Sequence, residues 1–342
     1  MADPVMPSEP RTVPEPPMDV ERFRASAAAV EAELGRIIVG QDALIRGTLI
    51  TLLAGGHALL EGVPGLGKTL LVRSLARAIG ARFSRIQFTP DLMPADIVGT
   101  TIIAEDEAGR RAWRYEPGPL FANLVLADEI NRASPKTQSA LLEAMQERSV
   151  TVAGTTRPLP EPFLVLATQN PIEMEGTYPL PEAQLDRFLM HLRVPFPDRQ
   201  SLVAIAERGT GDAVDGAGPV VDLASLVAMQ GLARALPIAP HVSGLAADLV
   251  LATHPEAPGA PESLRRYVAY GASPRAAQAL VSAGKVRALL EGRFNVAAED
   301  LVALAPAVLR HRLVPSYEAR AEGLDMDALV RQLVATLRDA QP

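Results

Sequence analysis

The sequence has no cysteine and few aromatic residues. The absence of cysteine excludes a class of chemistry. Its 342 residues include no Cys, five His and one Trp, and aromatic residues make up 4% of the chain. Without cysteine the chain can form neither disulfides nor thiolate metal sites. The histidines have no ligand spacing such as His-x-x-x-His, so a zinc site is not expected. An absence of cysteine suits a reducing compartment, and we expect a cytoplasmic protein.

The chain also lacks a basic run and a long uninterrupted apolar run. It carries 33 Lys and Arg against 40 Asp and Glu, a formal net charge of −7. Because non-specific nucleic-acid binding needs a concentrated basic surface, we expect no nucleic-acid partner. The most apolar stretch, residues 44–63, is interrupted by Arg46, His57 and Glu61, so we expect no membrane insertion. The first residues have neither a basic nor an apolar region, which argues against a signal peptide.

A glycine-rich loop organises the chain. Residues 62–69 read Gly-Val-Pro-Gly-Leu-Gly-Lys-Thr, between a strand-like run at 58–60 and a helix-like run at 70–79. Backbone N–H groups of such a loop, with the positive end of the next helix, bind the phosphates of a nucleoside triphosphate. Lys68 should reach the β- and γ-phosphates, and Thr69 should bind Mg²⁺. The predicted nucleotide-binding residues of this stretch are Gly62, Pro64, Gly65, Leu66, Gly67, Lys68, Thr69 and Leu70.

Polar residues follow two further apolar strands. Asp128 and Glu129 end the run at 124–127, and Asn170 follows the run at 163–167. Carboxyl ends of parallel strands meet at one edge of a sheet, where ligands of such folds bind. We assign Asp128 to the metal and Glu129 to polarising the attacking water, while Asn170 could contact the γ-phosphate.

Two arginines are candidates for a role across a subunit interface or beside an anion. Arg187 ends a short predicted helix on the far side of the domain from its own phosphate loop, although a cation also suits a helix C-terminus. Arg275 follows Ser273, a predicted N-cap, so it lies at the unfavourable end of the helix dipole. Local stability does not explain this position, whereas a nearby anion would.

The alternation of strands and helices predicts an α/β fold with a doubly wound parallel sheet. We expect a disordered Pro-rich tail over residues 1–18, an α/β nucleotide-binding domain over 19–197, and an all-helical domain without strands over 198–342. Two hairpins are predicted, one within residues 89–123 and one over 148–160. Trp113 is interpreted as a packing anchor of the first hairpin.

Together these residues resemble the MoxR group of AAA+ ATPases, from about residue 30 to residue 340. The resemblance is carried by the phosphate loop and by residues 128–133, 167–171, 184–188 and 271–275, which read DEINRA, ATQNP, QLDRF and GASPR. It implies a five-stranded parallel sheet with a helical lid, with ATP and Mg²⁺ as ligands. It further implies that Asn170 is sensor 1, Arg187 the arginine finger and Arg275 sensor 2. The adenine would lie near Val39, Gly40 and Gln41.

The resemblance also implies partners and a working assembly. Such proteins are thought to form hexameric rings that act as chaperone-like ATPases with von Willebrand factor A domain proteins, and both predicted hairpins would face the ring pore. Arg132 would be a further interface arginine. The alternative is the motor subunit of a magnesium or cobalt chelatase, which shares this branch. A nucleotide-binding module that does not hydrolyse is disfavoured by Glu129, Asn170 and Arg187 together.

Overall fold

The computed structural model describes residues 18–105, 111–171, 176–207 and 218–339. The predicted Pro-rich tail lies, apart from Met18, outside the described residues. The nucleotide-binding part contains α1 (Val20–Ile37), α2 (Asp42–Leu53), β1 (Ala58–Glu61), α3 (Lys68–Ala78), β2 (Phe83–Gln87), α4 (Pro94–Val98), β3 (Gly99–Glu105), β4 (Arg111–Pro117), β5 (Leu124–Asp128), α5 (Pro135–Glu147), β6 (Ser149–Val152), β7 (Thr155–Pro158), β8 (Leu164–Gln169), α6 (Glu182–Leu185) and β9 (Met190–Arg193). The lid contains α7 (Arg199–Glu207), α8 (Leu223–Ala235), α9 (Pro240–Leu251), α10 (Glu262–Tyr267), β10 (Val268–Tyr270), α11 (Pro274–Leu290), α12 (Ala298–Leu309), β11 (Val314–Pro315), α13 (Tyr317–Ala321) and α14 (Met326–Asp339).

Five strands form the central sheet in the order β2-β5-β8-β1-β9. The pairings of β2 with β5, β5 with β8, β8 with β1 and β1 with β9 are all parallel. The predicted α/β fold with a parallel five-stranded sheet and a helical lid is therefore confirmed. This order brings the carboxyl ends of β1, β5 and β8 together in the middle of one edge.

The sheet is buried on both faces, which explains its continuous apolar runs. Leu124 and Leu126 of β5 belong to a core that extends over α1, α2, α3 and the lid. Val125 and Ala127, which point the other way, belong to a second core with α5 and Phe163. The lid helices extend this core by packing on α1 and α2 and beside the edge strand β9. The domain boundary at 197/198 stays a prediction.

Two hairpins leave the sheet, as predicted. β3 pairs antiparallel with β4, and β6 pairs antiparallel with β7. The interpretation of Trp113 as a packing anchor is wrong, because this side chain is 73% exposed and its cross-strand neighbour Ile103 is 59% exposed. The outer half of the hairpin has no described layer to pack against. Tyr115 anchors the hairpin instead, since its ring contacts Phe121 edge-on at 5.8 Å and Arg157 lies 4.0 Å above it.

The lid contains a short antiparallel ribbon, formed by β10 and β11, that was not expected. Its strands have three and two residues. Strands of this length show no alternating apolar pattern, so the sequence gives no signal for them. One strand of the ribbon precedes α11 and the other follows α12, so their pairing brings these two points of the chain together.

Candidate active site

The phosphate loop joins the carboxyl end of β1 to the N-terminus of α3. Gly65 and Gly67 have φ angles of +84° and +80°, a conformation that other residues adopt only with strain. A Cβ on Gly62 would lie 2.8 Å from Cβ of Val194, so this glycine lets the loop pack against the end of β9. The backbone N–H groups of the first turn of α3 have no partner within the helix, which makes its N-terminus suited to an anion.

Lys68, the first residue of α3, extends back over the loop. Its ammonium donates to the carbonyl oxygen of Gly62 and to that of Val63 at 3.4 Å. Partial burial lowers the pKa of Lys68, and the charges of Asp128 and Glu129 act in the opposite direction. The lysine is therefore held between its own loop and the acidic pair.

The acidic pair at the end of β5 is held by Thr168 of β8. The Thr168 hydroxyl donates to Oδ1 of Asp128 at 2.6 Å and accepts from the backbone N–H of Glu129 at 2.9 Å. Glu129 has φ 58° and ψ 47°, a left-handed conformation that is unusual for a residue with a Cβ. Thr168 is 1% exposed, so the hydroxyl that makes both hydrogen bonds is itself buried.

Two side chains of β2, together with Arg132, contact the same acids. Arg85 donates to Oδ2 of Asp128 from Nε at 3.1 Å and from a terminal nitrogen at 2.7 Å. Gln87 donates to Oε2 of Glu129 at 2.9 Å, and Arg132 lies 3.3 Å from the same oxygen. The carboxylate of Glu129 is thus oriented by two donors on one of its oxygens.

The phosphate loop, Arg85, Thr168 and the acidic pair line a cavity of about 400 Å³, which we call the phosphate-loop cavity. Its lining includes most of the residues predicted from sequence, namely Pro64, Gly65, Gly67, Lys68, Thr69, Leu70, Asp128, Glu129 and Asn170. Leu66 packs against the apolar core instead. The hydroxyl of Thr69 and the carboxylate of Asp128 are hard oxygen donors of the kind that Mg²⁺ prefers, so the residues present fit this ion.

Arg187 and Arg275 lie together in a different place. They line a cavity of about 280 Å³, the arginine cavity, together with Arg148, Arg312 and Asp186. The described linings of the two cavities have no residue in common. Gly55, Gly56 and His57, which precede β1, also line the arginine cavity. This cavity is therefore at the amino end of β1, and the phosphate loop is at the carboxyl end, so neither arginine is beside the phosphate loop of its own chain.

Only some of the residues expected near adenine line a common cavity. Gly40 and Gln41 line a third cavity of about 480 Å³ between α2, β9 and α12, whereas Val39 is not among its described lining residues. Gln41 is buried, and its amide donates to the carbonyl oxygen of Pro195 at 3.4 Å. Pro195 follows Val194, against which Gly62 packs, so this cavity approaches the phosphate loop from the β9 side.

Sequence reasoning did not select Thr168, Gln87 or Arg85. The hydroxyl of Thr168 gains a role only because β8 lies beside β5. Gln87 is the register partner of Asp128 across β2 and β5. Strand order and register are not visible in one sequence, so only a polar residue at the end of a predicted strand could have suggested these positions.

The sheet order, the phosphate loop after β1 and the acidic pair after β5 define a P-loop nucleotide-binding protein with a helical lid. Residues 57–190 match the model of the ATPase family associated with various cellular activities (AAA), and residues 263–333 match the AAA lid domain. Among solved structures, the crystal structure of a proposed ATPase from Cytophaga hutchinsonii matches with a TM-score of 0.85 and 40% identity, covering 93% of this chain and 96% of that one.

Curated relatives narrow the class. Chaperone MoxR1 of Mycobacterium tuberculosis is 45% identical over 94% of this chain and 85% of its own length. Protein MoxR of Methylorubrum extorquens is 37% identical over 92% of this chain and 95% of its own. The chain therefore belongs to the MoxR family of AAA+ ATPases. Within the described residues no single helix is long and apolar enough to span a membrane; α8 and α9 pass that test only as a pair, with a bend of 91° between them.

Proposed function

We propose that the protein hydrolyses ATP with Mg²⁺ and uses the energy to remodel or assemble client proteins. The observation that carries the proposal is the grouping of Lys68, Asp128 and Glu129 around one cavity at the carboxyl edge of the sheet. A cation, a metal-binding carboxylate and a second carboxylate are the groups that phosphoryl transfer to water requires.

Each group has a distinct role in this proposal. Lys68 exchanges the carbonyl oxygen of Gly62 for phosphate oxygens, which its partial burial makes favourable. Thr69 and Asp128 would hold Mg²⁺, which neutralises charge on the β- and γ-phosphates when bound. Glu129 accepts a proton from the attacking water. Asn170, at the end of β8, orients the γ-phosphate or that water.

We further propose that Arg187 and Arg275 act on the nucleotide of a neighbouring subunit. Both lie at the amino edge of the sheet, away from their own phosphate loop, in a cavity whose other charged residues are Arg148, Arg312 and Asp186. Such an excess of positive charge suits the phosphates of a second molecule. A closed ring, hexameric by resemblance to the family, would give each phosphate loop one such edge.

The adenine and the client have separate candidate surfaces. The cavity lined by Gly40 and Gln41 is proposed to take the base. The exposed pair of Ile103 and Trp113 supports a contact role for the β3–β4 hairpin, because exposed large apolar side chains often mark interaction sites. The names of the relatives favour a chaperone over a chelatase motor. A von Willebrand factor A domain protein is the proposed partner.

Two variants test the hydrolytic proposal. We expect Glu129→Gln to bind ATP and to release phosphate at least ~10²-fold more slowly, because the general base is lost while the phosphate loop is intact. Lys68→Ala should lose ATP binding. Phosphate release and binding of a fluorescent ATP analogue measure the two effects. Hydrolysis by Glu129→Gln at the wild-type rate would contradict the assignment.

A further inference from the structure

The segment that carries Arg187 is too short to fix this side chain by itself. α6 has only four residues, and Arg187 follows it in the turn before β9. Helices of this length have no independent stability in water. The position of Arg187 must therefore depend on contacts from elsewhere in the chain.

The lid supplies these contacts through Arg312, whose side chain is 2% exposed. Its guanidinium donates to Oδ1 of Asp186 at 2.8 Å, to the carbonyl oxygen of Phe188 at 2.6 Å and to that of Leu189 at 3.3 Å. It also donates to the carbonyl oxygen of Asp186 at 3.2 Å. Arg312 thus holds the backbone on both sides of Arg187.

Asp186 extends the same connection to Arg275. Its Oδ2 accepts from the hydroxyl of Ser273 at 2.7 Å and lies 3.7 Å from a guanidinium nitrogen of Arg275. Asp186 is the only carboxylate among the described residues that line the arginine cavity. Burial lowers the pKa of Arg312, and the charge of Asp186 opposes that shift. One carboxylate therefore joins the turn before β9 to the two lid segments that carry Arg275 and Arg312.

We infer that Asp186 and Arg312 are positioning residues that set Arg187 beside Arg275 for the nucleotide of the neighbouring subunit. The turn and the lid then move as one body, so a change of lid position in one subunit alters the active site of the next. This inference rests on the proposed function, in which Arg187 acts across the interface.

Asp186→Asn tests the inference, because it keeps the shape of the side chain and removes its charge. In uniform rings we expect phosphate release to fall about 10–10²-fold, as for other small misplacements of catalytic groups. The KM for ATP should change little, since the phosphate loop is untouched. Glu318→Gln is the matched control: Glu318 accepts from Nε of Arg266 at 2.9 Å within the lid, neither residue is among the described linings of the three cavities, and its loss should leave turnover unchanged.

Mixed rings separate positioning from general damage. Lys68→Ala subunits cannot bind ATP, but their surface around Arg187 is intact. Adding them to Asp186→Asn subunits should therefore restore turnover, because an intact phosphate loop then meets an intact Arg187 surface. Adding Arg187→Ala subunits should not, since both variants are then defective at the same edge. Ring formation is checked by mass photometry. Ser273→Ala, which removes one hydrogen bond to Asp186 and leaves Arg312 in place, repeats the test if Asp186→Asn does not fold.

Three results would overturn the inference. Wild-type turnover by Asp186→Asn rings would show that the carboxylate is not needed. Failure of Lys68→Ala to rescue Asp186→Asn, while it rescues Arg187→Ala, would show that Asp186 acts on its own subunit's site. Failure of Lys68→Ala to rescue Arg187→Ala would refute the shared site itself, and the inference would fall with the proposed function.

Discussion

Thr168→Val removes one hydroxyl that holds both acids of the proposed active site. The backbone N–H of Glu129 loses its acceptor at 2.9 Å, and Oδ1 of Asp128 loses its donor at 2.6 Å. Leaving a buried N–H without a partner costs about 1–3 kcal/mol. The left-handed conformation of Glu129 itself costs about 1–2 kcal/mol. Loss of this hydrogen bond therefore favours relaxation of the backbone, which displaces Glu129.

The expected loss of activity follows from these magnitudes. If about 2 kcal/mol of the lost interaction contributes to the transition state, kcat falls roughly 30-fold, since each 1.36 kcal/mol is tenfold. The KM for ATP should stay within about twofold, because Lys68 and the glycines of the loop are unchanged. Steady-state phosphate release at a fixed excess of Mg²⁺ measures both constants.

Thr168→Ser is the matched control. It keeps the hydroxyl and removes only a methyl group, so it should retain most of kcat. Melting temperatures of both variants check that the fold is intact. Hydrolysis by Thr168→Val as fast as by the wild type, or a loss of kcat in Thr168→Ser as large as in Thr168→Val, would show that this hydroxyl does not position the acids.

Three further outcomes are expected. Gln87→Ala removes a donor from Oε2 of Glu129 and should lower kcat about threefold to tenfold at unchanged KM, whereas an unchanged kcat would exclude a role for Gln87. Burial lowers the pKa of His57 to about 4 from an ordinary 6.5. The stabilisation of the folded state by the neutral imidazole is complete above about pH 6.5. It is lost as the pH falls towards 4, which lowers the free energy of unfolding by at most about 3 kcal/mol. Thermal unfolding of His57→Gln should therefore depend less on pH over that window, and equal pH dependence would contradict this. A Gly/Ser loop in place of residues 105–110 should leave basal ATPase activity intact but abolish stimulation by a von Willebrand factor A domain partner, and stimulation that persists would move the contact elsewhere.

The residues that were predicted from sequence and that the structure places around one cavity are those fixed by local chain chemistry. A loop of this type binds phosphate through its own backbone, so the spacing of residues 62–69 alone carries the signal. Asp128 and Glu129 follow a strand buried on both faces, and their place at the carboxyl edge follows from the parallel topology. The five strands and the lid could be predicted for the same reason, since long apolar and helical patterns are strong.

The parts that sequence missed depend on contacts between distant segments. Thr168 matters because β8 adjoins β5, and the grouping of Arg187 with Arg275 depends on how the lid docks. A large apolar side chain such as Trp113 is buried in most positions, but a hairpin that projects from the domain exposes it. Hydrophobicity alone does not distinguish a core residue from a contact surface.

In the proposed ring each active site is shared between the phosphate loop of one subunit and the surface that carries Arg187 on its neighbour. Wild-type subunits can be mixed with a growing fraction of subunits that carry both Lys68→Ala and Arg187→Ala, and phosphate release is then measured per wild-type subunit. We expect this rate to fall in proportion to the fraction of intact subunits, because a wild-type loop then meets a defective edge more often. A rate per wild-type subunit that stays constant, in rings shown to be mixed, would contradict a shared active site.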